Sequence, residues 1–258
     1  MFKKLRIAIW LYILAVVAAG AWLTAERTTD WDDALWVVVY PIAGDATVST
    51  SQFVDNLEPK DFADIEAFIN REAKRYGVTT ERSIEVKLAG RVHELPPPPP
   101  VEKSVVHIML WSLHMRYWAW RVEAQFPDLP ADISIFAVFH DPDKHSDGHD
   151  SLALREGLIG VVNAFAHRRY KRRNNVVITH EMLHTVGATD KYDLATNLPL
   201  HPFGYAEPDL NPLYPQKKTE IMGGRRAISA THAEMPKSLK SVVIGPLTAQ
   251  EIRWSKSP

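Results

Sequence analysis

The chain has 258 residues, no cysteine, 11 histidines, and 30 basic against 31 acidic side chains, for a formal charge of −1. Without a thiol there can be no thiolate zinc or iron–sulfur site, no cysteine nucleophile and no disulfide framework, so any metal must take nitrogen or oxygen ligands. Near-neutrality provides no strong basic face for nucleic acid, and the length allows a self-sufficient core in one or two domains.

Ile7–Ala25 is a run of 19 residues without a charge. As a helix rising ~1.5 Å per residue it nearly matches the ~30 Å hydrocarbon layer of a bilayer. Lys3, Lys4 and Arg6 precede the run; Glu26, Asp30, Asp32 and Asp33 follow it. This asymmetry predicts a cytoplasmic N-terminus (1–6), a membrane signal anchor (7–25) and an exported domain (26–258), periplasmic or extracellular. The alternative is a cleaved signal peptide, with Ala19-Gly20-Ala21 as the cleavage site and a secreted product.

In the exported part, Ala34–Ile42 is short, apolar and rich in β-branched residues, which predicts a buried strand. Pro59–Tyr76 places Phe62, Ile65, Phe68 and Ile69 at helical spacing and is followed by Gly77, a C-terminal stop. Ile84–Leu88 alternates apolar and charged residues, as a strand does. Pro96–Pro100 is a stiff polyproline run that cannot lie inside a helix or central strand, and it predicts a surface loop within one domain. Ser104–Phe126 reads as a long helix whose aromatics Trp111, Tyr117, Trp118 and Trp120 are expected in the core. Ile133–Phe139 and Leu158–Ala166 are two further strands, separated by the polar loop 140–150. That loop crowds His140, Asp141, Asp143, His145, Asp147, His149 and Asp150 together, chemistry that admits a second, structural ion, although its spacing matches no known calcium or zinc loop. His167–Arg173 (HRRYKRR) is a basic surface run.

The segment Asn174–Asp193, NNVVITHEMLHTVGATDKYD, carries the chemistry. Asn174 or Asn175 is a plausible N-cap for its helix. In His180-Glu181-Met182-Leu183-His184 the two histidines lie four apart, on one helix face, where both imidazoles can address one ion. Glu181 is one residue round, beside the ion, placed to hold a zinc-bound water as general base. Two ligands are too few for a catalytic zinc, which takes three from the protein. Were the helix to continue, Asp190 would lie about 240° round and ~9 Å along from His184, out of reach. Gly187 can end the helix in a left-handed conformation and bring Asp190 back. Asp193, His201 and Glu207 are the alternative third ligands.

His180-Glu181-x-x-His184-x-x-Gly187-x-x-Asp190 resembles the extended zinc signature of the metzincin metalloproteases, in the snapalysin-like variant with Asp as third ligand. Downstream, Glu220-Ile221-Met222-Gly223-Gly224 resembles the methionine turn of that family, with Met235 a weaker candidate, and Thr248–Trp254 resembles its closing helix. The resemblance implies a zincin-like α/β (α+β) fold: a twisted mixed sheet with an antiparallel edge strand, an active-site helix and a small C-terminal lobe. It implies one Zn2+ per chain on His180, His184 and Asp190, and endopeptidase activity with Glu181 as base. Leu158–Ala166 would be the edge strand, with Gly160, Val161, Val162 and Asn163 binding peptide by strand addition; Tyr192 and Tyr205 are candidate donors to the oxyanion. The partners expected are a peptide or protein substrate and a membrane, with no nucleic acid. The alternative function is a membrane-anchored zinc-binding assembly protein without proteolysis.

Overall fold

The computed structural model describes residues 31–102, 104–144, 152–154 and 158–255. The expected segments 1–6 and 7–25 lie outside these, as do His145, Asp147, His149 and Asp150 of the polar loop. Among the described residues, no helix is long and apolar enough to cross a membrane.

The fold is mixed α/β, built on one five-stranded sheet. Its strands are β1 (Leu35–Ala43), β2 (Ile84–Leu88), β3 (Ile133–His140), β4 (Leu152–Leu154) and β5 (Ile159–Phe165), in the order β2-β1-β3-β5-β4. The first four positions in that order run parallel; β4 lies antiparallel to β5, pairing Leu152 with Val161 and Leu154 with Ile159. Central β1 and β3 are apolar on both faces because helices cover both sides. Residues Val37, Val39, Ile135 and Ala137 face one core, and Val38, Tyr40, Phe136 and Val138 the other.

Helices α1 (Val48–Asp55), α2 (Ala63–Arg75) and α4 (Lys171–Thr185) share the first side; α3 (Val105–Glu123) covers the second. The apolar spacing read in the sequence holds in α2, where Ile65, Phe68, Ile69 and Ala73 are buried and Gly77, at φ 80°, ends the helix. On α3 the expectation of a single aromatic core stripe needs correction. Trp118 packs edge-on against Phe136 at 4.6 Å, but Tyr117 and Trp120 are exposed and Trp111 is half-buried, donating to the Pro97 carbonyl. The helix has two apolar faces and one sheet to put them on. The polyproline run is a surface loop alongside it, as expected.

Three further readings are corrected. Leu158–Ala166 is not the edge strand: β5 lies between β3 and β4, and the short β4 was hidden in the polar stretch before it. Helix α4 begins at Lys171, before Asn174. Asn174 instead exchanges two hydrogen bonds with the Phe165 backbone, and Asn175 donates to the Asp61 carbonyl, so both asparagines tie the helix to its neighbours rather than cap it. Helix α1 carries no strong apolar period and was not read from the sequence.

Beyond α4 the chain forms a small lobe of two-residue strands, β6 (Thr219–Glu220) beside β9 (Val242–Val243) and β7 (Arg226–Ala227) beside β8 (Ala233–Glu234), closed by α5 (Pro246–Glu251). Helix α5 starts two residues before the expected Thr248 because Pro246 is pre-organised for a first helical position. Glu72 of α2 ties this lobe down by accepting from Arg71, Arg75 and the Ile244 backbone N–H.

Gly160 of β5 leaves room for the Ile135 side chain of β3. A Cβ added there would stand 2.7 Å from Ile135 Cδ1 and 4.0 Å from Glu181 Cβ. Gly160→Val is therefore expected to destabilise the protein by about 1–3 kcal/mol through overpacking, read as a lower urea midpoint at constant slope. An unchanged midpoint would show that the Ile135 side chain yields to the added bulk.

Candidate metal centre

His180 and His184 project from one face of α4. The helix ends in a Schellman motif: Gly187, at φ 112°, donates to the His184 carbonyl and Ala188 to the Leu183 carbonyl. This turn brings Asp190 back over the end of the helix. His180 Nε2 to His184 Nε2, His180 Nε2 to Asp190 Oδ1 and His184 Nε2 to Asp190 Oδ1 are each 3.1 Å. Tetrahedral coordination at ~2.0–2.2 Å gives ligand–ligand edges of about 3.3–3.6 Å, so the triangle needs to open by only a few tenths of an ångström.

The imidazole tautomers follow from the other ring nitrogens. His180 Nδ1 lies 3.0 Å from the Ile221 carbonyl, and His184 Nδ1 lies 2.8 Å from the Ala188 carbonyl. A carbonyl only accepts, so each Nδ1 carries a proton, and in the neutral ring each Nε2 turns a lone pair toward Asp190. One proton can bridge only two of the three converging atoms, whereas one cation at their centre meets all three. This group can hold a metal ion, and among the described residues no other trio of such side chains converges this way.

The neighbours of Asp190 are fixed by the closing helix. The backbone and hydroxyl of Thr189 donate to Glu251, and the buried Lys191 ammonium bonds Glu251 at 2.7 Å and the Thr189 carbonyl at 2.9 Å. The Lys191 N–H donates to the carbonyl of Met222 at 2.8 Å. Met222 is fully buried in the turn Ile221–Gly223, the turn whose first carbonyl orients His180. Glu220, equally buried, holds that turn: it accepts from Gly223 N at 2.7 Å, Gly245 N at 3.0 Å and Thr248 Oγ1 at 2.7 Å. Burial pushes the Glu220 carboxyl up, and these donors only partly offset it.

The electrostatics are those of a buried cluster. Burial depresses His180, but the carboxylates of Asp190 and Glu181 and the Ile221 carbonyl raise it further, to above the ordinary histidine value. Burial likewise opposes ionisation of Asp190, and its contacts with both imidazoles outweigh this and hold it well below the carboxylate range. Glu181 is raised, by burial first, with the two imidazoles pulling the other way. Tyr192 is pushed up to about 12 by burial and by the Asp190 and Glu181 carboxylates, so its phenol is a donor at neutral pH.

His180, Glu181, Asp190 and Tyr192 line an open cleft of about 580 Å³, with Val176, Leu194, Ile221, Arg225 and Met235 among its walls. Met235, the weaker methionine-turn candidate, is thus a wall residue. The remaining predicted residues are placed elsewhere. Asp193 closes an exposed turn on Ala195 and Thr196, Glu207 accepts from Lys217 N and Lys218 N, and His201 faces the Pro208 carbonyl; none joins the triangle. Tyr205 meets Tyr214 hydroxyl to hydroxyl at 3.0 Å and is not in the cleft wall. Val161 and Val162 pack into opposite cores and Asn163 bonds His140, so β5 offers no free edge opposite β4. In the described part of the polar loop, Asp141 accepts from Ser49 and Asp143 N, which leaves no assembled second ion site there. The sequence reading missed Lys191, Glu251 and the role of Glu220. The Ile221 and Ala188 carbonyls leave no residue-type signal at all, whereas an acid directly before the Ile221–Gly223 turn was visible and unused.

No protein-family model and no curated protein matches the chain. A solved structure described as "Structure of a chaperone-substrate complex" aligns at 12% identity with a TM-score of 0.39, covering 86% of this chain and 35% of the other. The chain spans about a third of that neighbour's length, and a likeness this slight bears on neither fold nor function.

Asp190→Ala is expected to abolish stoichiometric metal binding and Asp193→Ala to leave it intact, as measured by metal analysis after dialysis. Protons compete with the metal for His180, whose basicity is raised above that of an ordinary histidine, so affinity should begin to fall at a higher pH than an unperturbed imidazole would give and recover in alkaline solution. Competition with a chelator across pH measures this; a flat profile would remove His180 from the ligand set.

Proposed function

We propose that the protein is a zinc-dependent endopeptidase of metzincin type. The observation that carries this reading is the 3.1 Å triangle of His180, His184 and Asp190 with Glu181 beside it in an open cleft. Two neutral imidazoles and one carboxylate are a set that suits zinc, and three protein ligands leave a fourth position for chemistry. When bound, zinc would supply Lewis acidity toward a substrate carbonyl and a water molecule.

The chain's own groups divide the remaining work. Glu181 is buried in the cleft wall and, among the described residues, has no hydrogen bond or ion pair to hold its carboxylate elsewhere. Its raised basicity suits it to take a proton from the attacking water and to return it to the leaving amine nitrogen. Tyr192 keeps its proton and can donate to the oxyanion that develops on the carbonyl carbon's oxygen. The antiparallel β4, rather than β5, offers the sheet edge to which an extended peptide can add. Glu181 argues against a purely structural zinc site, which takes four protein ligands and needs no base. Export through an anchor at 7–25 completes the proposal, with the cleft facing away from the cytoplasm.

Glu181→Gln is expected to retain zinc and lose at least about 10³-fold in peptide turnover, because the amide preserves volume but accepts no proton. A peptide library with wild type and variant side by side tests it. Undiminished turnover in the variant would sink the mechanism, and zinc without cleavage in the wild type would favour the non-proteolytic alternative.

A further inference from the structure

We propose that Arg225 is a specificity-determining residue that selects peptides carrying an Asp or Glu side chain beside the bond to be cut. The inference rests on the reading of the cleft as a peptide site. Among the residues that line the cleft, Arg225 is the one lysine or arginine. Its backbone is fixed on both sides. The Arg225 N–H donates to the Gly223 carbonyl at 2.7 Å, directly after the turn that carries Met222. The next residue, Arg226, enters β7 and pairs with Glu234 of β8, whose carboxylate its guanidinium meets at 3.1 Å. Arg225 has no such acid. Among the described residues, its exposed side chain makes no hydrogen bond or ion pair.

The carboxylates of the cleft do not neutralise it. Asp190 lies 3.1 Å from both imidazoles, and neither it nor Glu181 forms an ion pair with Arg225. With a divalent cation on the triangle and both imidazoles neutral, the two carboxylates balance the ion, and the guanidinium is left as the net charge of the cleft. The charge of Arg225 also acts on the Tyr192 phenol, against the rise that burial and the Asp190 and Glu181 carboxylates cause there. It therefore stands beside the group proposed to meet the oxyanion, and not merely at the rim. A guanidinium offers five donors in a planar fork, the shape that a carboxylate fits with two parallel bonds. Leu194 and Met235 give the cleft apolar wall for the stem of such a side chain. Asn197 lines the same cleft, and its amide makes no hydrogen bond among the described residues. A basic substrate side chain would meet like charge here, so discrimination comes from repulsion as well as attraction.

Peptides acetylated and amidated at their ends, so that no terminal charge competes, test the assignment on the zinc-loaded full chain. Glu, Gln and Lys are placed in turn at each position of a common sequence. At the favoured position, the wild-type kcat/KM for Glu should exceed that for Gln by about tenfold, as a charge-assisted hydrogen bond in a half-open cleft provides. Arg225→Gln should abolish that ratio, and Arg225→Lys should keep part of it. Arg225→Glu should turn the preference toward Lys, with zinc content unchanged in all three variants. The same ratios in wild type and Arg225→Glu overturn the proposal and leave the protease reading intact. Binding of the labelled peptides to the Glu181→Gln chain, followed by fluorescence anisotropy, carries the test if no peptide is cut. A Glu preference in binding that Arg225→Glu reverses then supports charge selection even though proteolysis fails. No binding, or binding indifferent to the charge at position 225, overturns it.

Discussion

Two hydrogen bonds from imidazole Nδ1 to backbone carbonyls govern the site, and much of the surrounding structure exists to aim them. With Ala188 and Ile221 as acceptors, each Nδ1 is turned away from the other histidine and both Nε2 atoms converge on Asp190, where the three atoms can hold an ion. The Ala188 carbonyl is in place because Gly187 reverses the chain directly after α4. The Ile221 carbonyl is in place because Glu220 clamps the following turn from three sides. Two histidines one turn apart near the end of α4 and a returning aspartate would otherwise be three independent conformational problems. The carbonyls reduce them to one.

This aiming is done with buried charge, which is an expensive material. Taking a carboxylate out of water costs several kcal/mol, and hydrogen bonds to a charged group return about 1.5–3 kcal/mol each. Glu220, with three donors, is offset only in part, whereas the contacts of Glu251 with Lys191 and Thr189 outweigh its burial. Neither adds much net stability. Each discriminates strongly between the native arrangement and any neighbour of it, because a half-satisfied buried charge is worse than none. Glu72, with both flanking arginines and the Ile244 N–H, performs the same office between α2 and the closing lobe. The lobe has only two-residue strands, so polar clamps supply the register that longer ladders would give.

The legible and illegible parts of the site divide along chemical lines. His180, Glu181, His184, Gly187 and Asp190 could be read because side-chain chemistry and helical period act within eleven residues, and the structure brings the ligands together as that spacing requires. Spacing after the glycine and the family resemblance favoured Asp190 but left Asp193 open, and the structure groups Asp190 with the two histidines. The edge strand was not: β5 is apolar on both faces, and the three residues of β4 carry too little pattern to register beside a polar loop. The asparagines before the motif resemble caps in sequence, but tertiary partners at Phe165 and Asp61 claimed their side chains. Backbone acceptors cannot be read from residue types under any scheme, since every residue has one.

Helix α3 explains why an aromatic-rich helix misleads. Period alone reports that apolar residues share a face; it cannot count how many faces have something to bury against. In α3 two opposed faces are apolar, so the segment is as hydrophobic as a core helix although the sheet covers only one side. The same sheet separates the two ends of the molecule's chemistry. α4 with His180 and His184 lies on one side, and α3 with its outward apolar face lies on the other.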